Sequence, residues 1–282
     1  MSRTASLVRN LFCGTLAVGL IACGRVRRAR RAALGYPVAT ALYFHKPDAK
    51  LFVACIRWLK RHGYAFVSAP ELIEFVCQGR SVPRGAVWLS FDDGCAELLG
   101  NVLPLVRRER IPVTLFIPSG IVEGNGRFPW ITETSNARHA ITVEELRMIA
   151  EYPEVTIGSH TVSHANLTSC NKDELAYELR ESRRMLQAWT GHTVDCVSYP
   201  YGFLNESVAR AVRDAGYKLA VTTENAFPTP GADPYLVPRF SIADSVSFPE
   251  LVCNIVGVWR PALEPLKKLV HGTLGLPEVS RA

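Results

Sequence analysis

The stretch "AVWLSFDDGCAELLGNVLPLVRRERIPVTLFI", residues 86–117, decides how the rest of the chain is read. Ala86–Phe91 is an apolar run of strand length and predicts a buried β-strand. Apolar residues at helical spacing over 96–108 predict a helix, and Val113–Ile117 predicts a second buried strand. Strand, helix and strand joined this closely form a parallel crossover unit. The joint after the first strand raises a question: Asp92 and Asp93 stand side by side there, where two negative charges repel.

The same alternation runs outward in both directions. Segments 39–44, 154–158, 196–199 and 218–222 predict further strands. Helices are expected over 49–62, ended by Gly63, and over 171–189, with Asn171 as N-cap and Glu174 three residues on. Others open at Thr142, with Glu145 completing a capping box, at Asn205, running to Gly216, and over 248–258. Six or seven strand–helix units in roughly 220 residues favour a β/α barrel over an open doubly wound sheet. Neither GxGxxG nor GxxxxGK[ST] occurs, which excludes the familiar nucleotide loops. The Gly/Asn/Pro-rich stretch 118–136 predicts a loop that shapes a substrate cleft.

The chain has 282 residues, 48% hydrophobic and 21% charged, which is the composition of a globular protein able to bury a large core. Its net charge is +6. The location of that charge argues against a nucleic-acid partner. Arg3, Arg9, Arg25, Arg27, Arg28, Arg30 and Arg31 precede Lys46 with no acid among them, so the remaining body is close to neutral. Residues 1–35 therefore form a distinct apolar and Arg-rich segment, followed by the main domain over 36–258 and a basic tail over 259–282.

The apolar part of that first segment, "LFCGTLAVGLIACG" (11–24), falls short of the ~20 residues a spanning helix needs. Three readings stay open: a signal-peptide core, a lipoprotein-like box at Leu20-Ile21-Ala22-Cys23, and an interfacial anchor held by arginines on anionic lipid. The arginines that follow the apolar run oppose translocation of the body. The expectation is a membrane-surface partner in a bacterial cell envelope, with the cytoplasmic or exported side left open. Eight cysteines without a CxxC pair read as small buried residues of a reduced protein.

In a β/α barrel the C-terminal strand ends open on one face, where functional groups gather. Here those ends carry His45, Asp92 with Asp93, His160 with His164, and Pro200-Tyr201-Gly202. Taken singly, a paired Asp is a solvated turn, HxxxH is incidental, and His45 is a core histidine. Together they are two aspartates and three histidines at one rim. Two imidazoles and one carboxylate suit a divalent metal with open positions for water and substrate. The metal also answers the pairing question: one aspartate neutralises its charge on the cation, and the other stays ionised beside it as a base.

The same residues carry a family resemblance. "SFDDG" (90–94), "IGSHTVSHANL" (157–167) and "SYPYG" (198–202) resemble the first three motifs of the NodB-type polysaccharide deacetylases. "LYFHK" (42–46) with "WLKRHGY" (58–64) resembles the start of the circularly permuted branch that includes poly-N-acetylglucosamine deacetylases. The resemblance implies a distorted (β/α)7 barrel. It implies metal ligands Asp93, His160 and His164, with zinc the usual ion. It makes Asp92 the general base, points the Tyr201 N–H at the developing oxyanion, and supplies His45 as general acid. The implied reaction is hydrolysis of N-acetyl groups on an amino-sugar glycan. O-deacetylation, hydrolysis of a small amide and an inactive glycan-binding module are the alternatives.

Three departures from the family pattern matter. Ser198 stands where an arginine usually pairs with the base, and Arg239 in "VPRFSI" is the candidate replacement. His271 in "KKLVHG" is a poor match to the usual late Leu-x-His motif. Phe44 separates Tyr43 from His45, where the two are commonly adjacent. Phe128, Trp130 and Tyr201 are candidates for stacking on a sugar ring.

Overall fold

A computed structural model of the chain describes residues 3–124, 126–130, 139–244 and 246–265. Two helices come first, α1 (Arg3–Ala22) and α2 (Arg25–Gly35), joined at Gly24, whose φ of 74° suits glycine. The strands are β1 (Thr40–Phe44), β2 (Ala65–Phe66), β3 (Ala86–Phe91), β4 (Val113–Ile117), β5 (Val155–Ser159), β6 (Cys196–Ser198), β7 (Leu219–Val221) and β8 (Phe240–Ser241). Between and after them run α3 (Ala49–Arg61), α4 (Ala69–Gln78), α5 (Leu98–Asn101), α6 (Leu103–Glu109), α7 (Ser119–Glu123), α8 (Val143–Ala150), α9 (Lys172–Thr190), α10 (Glu206–Asp214) and α11 (Phe248–Ile255).

All pairings in the sheet are parallel, in the order β7-β6-β5-β4-β3-β1-β8, with β2 beside the start of β3. One segment links the two ends of this order. Val237 bridges Val221 of β7, and Phe240 just beyond it pairs with Leu42 of β1. The sheet thereby curls into a distorted barrel, as expected from the strand–helix alternation.

β1, β3 and β4 are buried along their whole length, the pattern of a parallel sheet covered on both faces. The two-residue side-chain period splits their residues. Leu42, Phe44, Leu89, Phe91, Leu115 and Ile117 pack with the flanking helices, among them Phe52 and Ile56 of α3 and Leu179 of α9. Ala41, Trp88, Phe116, Cys196 and Val221 form a separate inner cluster, against which α4 places Leu72 and Phe75. Small residues on β1 leave room there for the Trp88 ring.

The predicted helix over 96–108 is divided in two at Val102, with Pro104 in the first turn of α6, where its missing N–H costs little. The capping boxes expected at Thr142 and Asn171 are present, and Ser68 with Glu71 on α4 and Ser247 with Glu250 on α11 add two more. β2, α4 and β8 were not expected, and neither was α7, which makes a short helix of the first part of the predicted loop 118–136; β2 and β8 are only two residues long. All eight cysteines are unpaired.

α1 packs on α11 through Ala17 and Leu20, while Leu11, Phe12, Val18 and Ile21 on its other side are exposed. No helix among the described residues is long and apolar enough to cross a membrane. His271 and most of the basic tail lie outside the described residues, as does part of the predicted loop 118–136.

Candidate active site

On four strands the inward alternation runs on to the C-terminal rim. Ala41 and Tyr43 lead to His45, Trp88 and Ser90 to Asp92, Gly158 to His160, and Cys196 to Ser198. A cleft of about 340 Å³ opens at this rim. His45, Asp92, Asp93, His160, His164 and Tyr201 all line it, so groups far apart in the chain meet as the strand-end argument requires. Arg239 lies beneath, fully buried.

Asp93 Oδ1 stands 3.5 Å from His160 Nε2 and 3.6 Å from His164 Nε2. One donor atom from each of the three residues lies within 4.8 Å of the others. That carboxylate oxygen is buried and has no hydrogen-bond partner. A buried acceptor left without a donor is costly, and a cation between it and the imidazoles removes the cost. The nitrogen–nitrogen–oxygen set therefore fits a divalent metal.

His160 Nδ1 lies 2.8 Å from the Ser198 carbonyl, which can only accept. The proton is thus on Nδ1, and Nε2 offers its lone pair to the site. Burial pulls the His160 pKa down, but the adjoining Asp93 and Asp92 outweigh it and raise it overall. Burial, reinforced by the charge of His160, pushes His164 down to about 3, so it is neutral and ready to ligate. Burial would raise the Asp93 carboxyl; its contacts with His160 prevail and lower it.

The backbone is contorted where these side chains are aimed. Asp93 (φ 68°), Thr161 (φ 66°), His164 (φ 60°) and Tyr201 (φ 60°) occupy the left-handed region without being glycine. Each such residue stores strain, which persists where the surroundings impose it and clusters at functional sites. Gly94 follows Asp93 at φ 61°, and a Cβ there would come within 2.9 Å of Ile117. The sharp turn through Asp93 and Gly94 swings the second carboxylate away from the first. This is how two adjacent aspartates take up different environments.

Asp92 faces Arg239. The guanidinium donates from Nη1 to Oδ1 at 2.8 Å and from Nη2 to Oδ2 at 2.9 Å. Ser198 Oγ accepts from Nη2 at 2.8 Å and donates to Asp92 Oδ2 at 3.2 Å. The serine thus makes room for an arginine arriving from the segment just before β8 and bonds both members of the pair. Burial alone would raise the Asp92 pKa, but Arg239 overrides it and holds the group at about 2.

Trp130 and Tyr201 flank His164, with ring centroids 4.3 and 4.6 Å away. Phe128 stacks behind Trp130 at 4.9 Å. Sequence reasoning missed Tyr43, Thr223, Asn225 and Ser241, which also line the cleft. It also missed Phe203, exposed beside Tyr201. Tyr43 belongs to the stretch 42–46, where the resemblance assigns it no role, and the others sit in no recognisable motif. The only available signal was position at or just after the end of a strand, and β8 is too short to announce itself.

A family model described as polysaccharide deacetylase matches residues 79–220, half of the chain. The poly-beta-1,6-N-acetyl-D-glucosamine N-deacetylase of Staphylococcus aureus (strain MRSA252) is 27% identical over 201 residues, covering 68% of this chain and 66% of that protein. The match thus spans just under two thirds of the relative's length. Two solved structures are similar in fold. The Streptococcus pyogenes deacetylase PplD in complex with acetate has a TM-score of 0.67 at 19% identity, over 78% of this chain and 98% of that one. IcaB from Ammonifex degensii has a TM-score of 0.66 at 19% identity, with the same coverage.

Proposed function

The chain belongs to the polysaccharide deacetylase family, and from that premise we propose that it is a metal-dependent hydrolase removing N-acetyl groups from an N-acetylated amino-sugar glycan, with release of acetate. The observation that carries this reading is the partnerless Asp93 oxygen facing two imidazoles, one residue from an arginine-clamped aspartate. The named activity of the Staphylococcus aureus relative supports the substrate class.

Asp93, His160 and His164 are the ligands in this reading, and zinc is the proposed ion because two imidazoles and one carboxylate are a common catalytic zinc set. A divalent cation held by these residues would supply Lewis acidity toward the acetyl carbonyl and a more acidic water. Asp92, kept ionised by Arg239, takes a proton from the attacking water. The Tyr201 N–H donates to the oxygen that becomes negative, a contribution of about 3–4 kcal/mol for one such donor. His45, which also lines the cleft, gives a proton to the departing amine, without which that amine is a very poor leaving group. Water adds across the amide, so acetate and a free amino sugar are the products. Trp130 and Tyr201 form walls for the sugar ring.

The proposal extends to a membrane-surface partner in a bacterial envelope. The exposed apolar side of α1 and the arginines of α2, with no acid near them in sequence, support an anionic lipid surface.

The deciding experiment is acetate release from β-1,6-linked N-acetylglucosamine oligomers. Zinc-loaded protein is expected to turn over, chelator-treated protein to be inactive, and added zinc to restore it. Turnover unaffected by complete metal removal, or none with any N-acetylated glycan, rejects the reading.

A further inference from the structure

Glu178 lies on α9, outside the cleft, yet it is only 7% exposed. Its carboxylate accepts from the backbone N–H of Val162 at 2.8 Å and of Ser163 at 2.9 Å, and from the Ser163 hydroxyl. These donors all belong to the loop between His160 and His164.

That loop is held from several sides. The N–H groups of Ser119 and Gly120 on α7 donate to the carbonyls of Thr161 and Val162 at 3.0 and 2.8 Å. Gly120 allows the approach, because a Cβ there would stand 2.9 Å from the Val162 carbonyl oxygen. Ser159 Oγ accepts from the Thr161 N–H at 3.1 Å, and Thr161 Oγ1 accepts from the His164 N–H at 3.1 Å. The carbonyls of Thr161 and Val162 are thus met by α7, and the N–H groups of Val162 and Ser163, among the described residues, by Glu178. Thr161 and His164 are both in the left-handed region, at φ 66° and 60°. A chain with these two unfavourable residues relaxes unless its intervening donors are fixed.

We propose that Glu178 is a positioning residue for the metal centre: it holds the 161–164 loop in the turn that brings His164 back to face His160 and Asp93. The inference rests on the reading of those three residues as metal ligands. A carboxylate suits the task because one group accepts several hydrogen bonds at once, and its charge strengthens each. Removing it leaves His164 its identity but not its aim. Groups that orient ligands without touching the metal commonly change affinity by about 10–100-fold when removed.

The test is the zinc dissociation constant, measured by competition with a chromophoric chelator, alongside the thermal midpoint. Glu178→Ala is expected to weaken zinc binding about 10–100-fold. Ser163→Ala, which removes one of the three donors, weakens it less. Glu178→Gln recovers most of the affinity, because its amide oxygen still accepts from both N–H groups. Leu186→Ala, a fully buried core change on the same helix, lowers the thermal midpoint while leaving the affinity of the folded protein unchanged. Folded Glu178→Ala that binds zinc like the wild type overturns the inference. So does an equal loss of affinity in Leu186→Ala. If Glu178→Ala does not fold, Ser163→Ala decides: a severalfold loss supports the inference, and unchanged affinity overturns it. Wild-type protein that takes up no zinc overturns the metal reading first, and this inference with it.

Discussion

Arg239 has no exposed surface, and each of its five N–H donors finds an acceptor: Thr222 O, Ser90 Oγ, Ser198 Oγ and both oxygens of Asp92. A buried charge so completely satisfied cannot lose its partner cheaply. Arg239→Met or Asp92→Asn alone strands the other group, at a cost of about 3–5 kcal/mol. The double variant strands neither, so its loss should fall well below the sum of the two, and urea unfolding of the four proteins measures the difference. Full additivity means that the pair is not coupled. The pH dependence has a definite sign. The folded-state pKa of Asp92 is depressed to about 2 from 3.8. Its stabilisation is therefore present above about pH 4 and lost as pH falls toward 2, to the extent of about 2 kcal/mol. Asp92→Asn should lack this part of the acid limb, so its stability gap to the wild type narrows over that window. A constant gap removes the assigned pKa shift.

At the scale of single elements, the turn after β6 shows what an alternating pattern leaves out. Tyr201 sits at φ 60°, ψ −3°, between Pro200 and Gly202. A Cβ on Gly202 would collide with Thr223 at 2.1 Å, so the turn is pressed against the segment after β7. Tyr201→Gly and Tyr201→Ala both remove the ring, but only alanine keeps the left-handed penalty of about 1–2 kcal/mol. The glycine variant should therefore unfold at higher urea concentration than the alanine variant; equal midpoints mean that the turn is unstrained. The long helices were legible because one-sided burial writes a period of 3.6 into many residues, and the central strands because burial on both faces leaves an unbroken apolar run. β2 and β8 were not, since two residues carry no period. Arg239 was picked out only because Ser198 left a place for an arginine, and Glu178 carried no signal. As one of four acids on α9 it reads as solvated, and its burial is set by how α9 lies against the loop after β5. Similarly, the division of 96–108 at Val102 is a packing result with only Pro104 as a hint.

For the molecule as a whole, the open matter is the first 35 residues. α1 is apolar on opposite sides. Ala17 and Leu20 are buried, with the Ala17 carbonyl 3.8 Å from Cys253 Sγ on α11, while Leu11, Phe12, Val18 and Ile21 remain uncovered. An apolar helix side left uncovered favours a second apolar neighbour. Arg25, Arg27, Arg28 and Arg31 on α2 are exposed and favour an anionic one. At about 1 kcal/mol for each arginine near an anionic surface, four contribute on the order of 4 kcal/mol, close to a thousandfold in partitioning. Because α1 is part of the packed body, truncation at residue 36 would uncover α11 and confuse two effects. Point variants in the full chain avoid this. Wild-type protein is expected to float with phosphatidylglycerol vesicles and to be released in part by high salt, which screens the arginines. Replacing Leu11, Phe12 and Val18 with serine should lower the floated fraction at any salt concentration while the thermal midpoint stays put. Equal flotation with neutral phosphatidylcholine vesicles removes the electrostatic half of the argument. Flotation unchanged by the three serines removes the apolar half and leaves α1 as an ordinary packing element of the barrel.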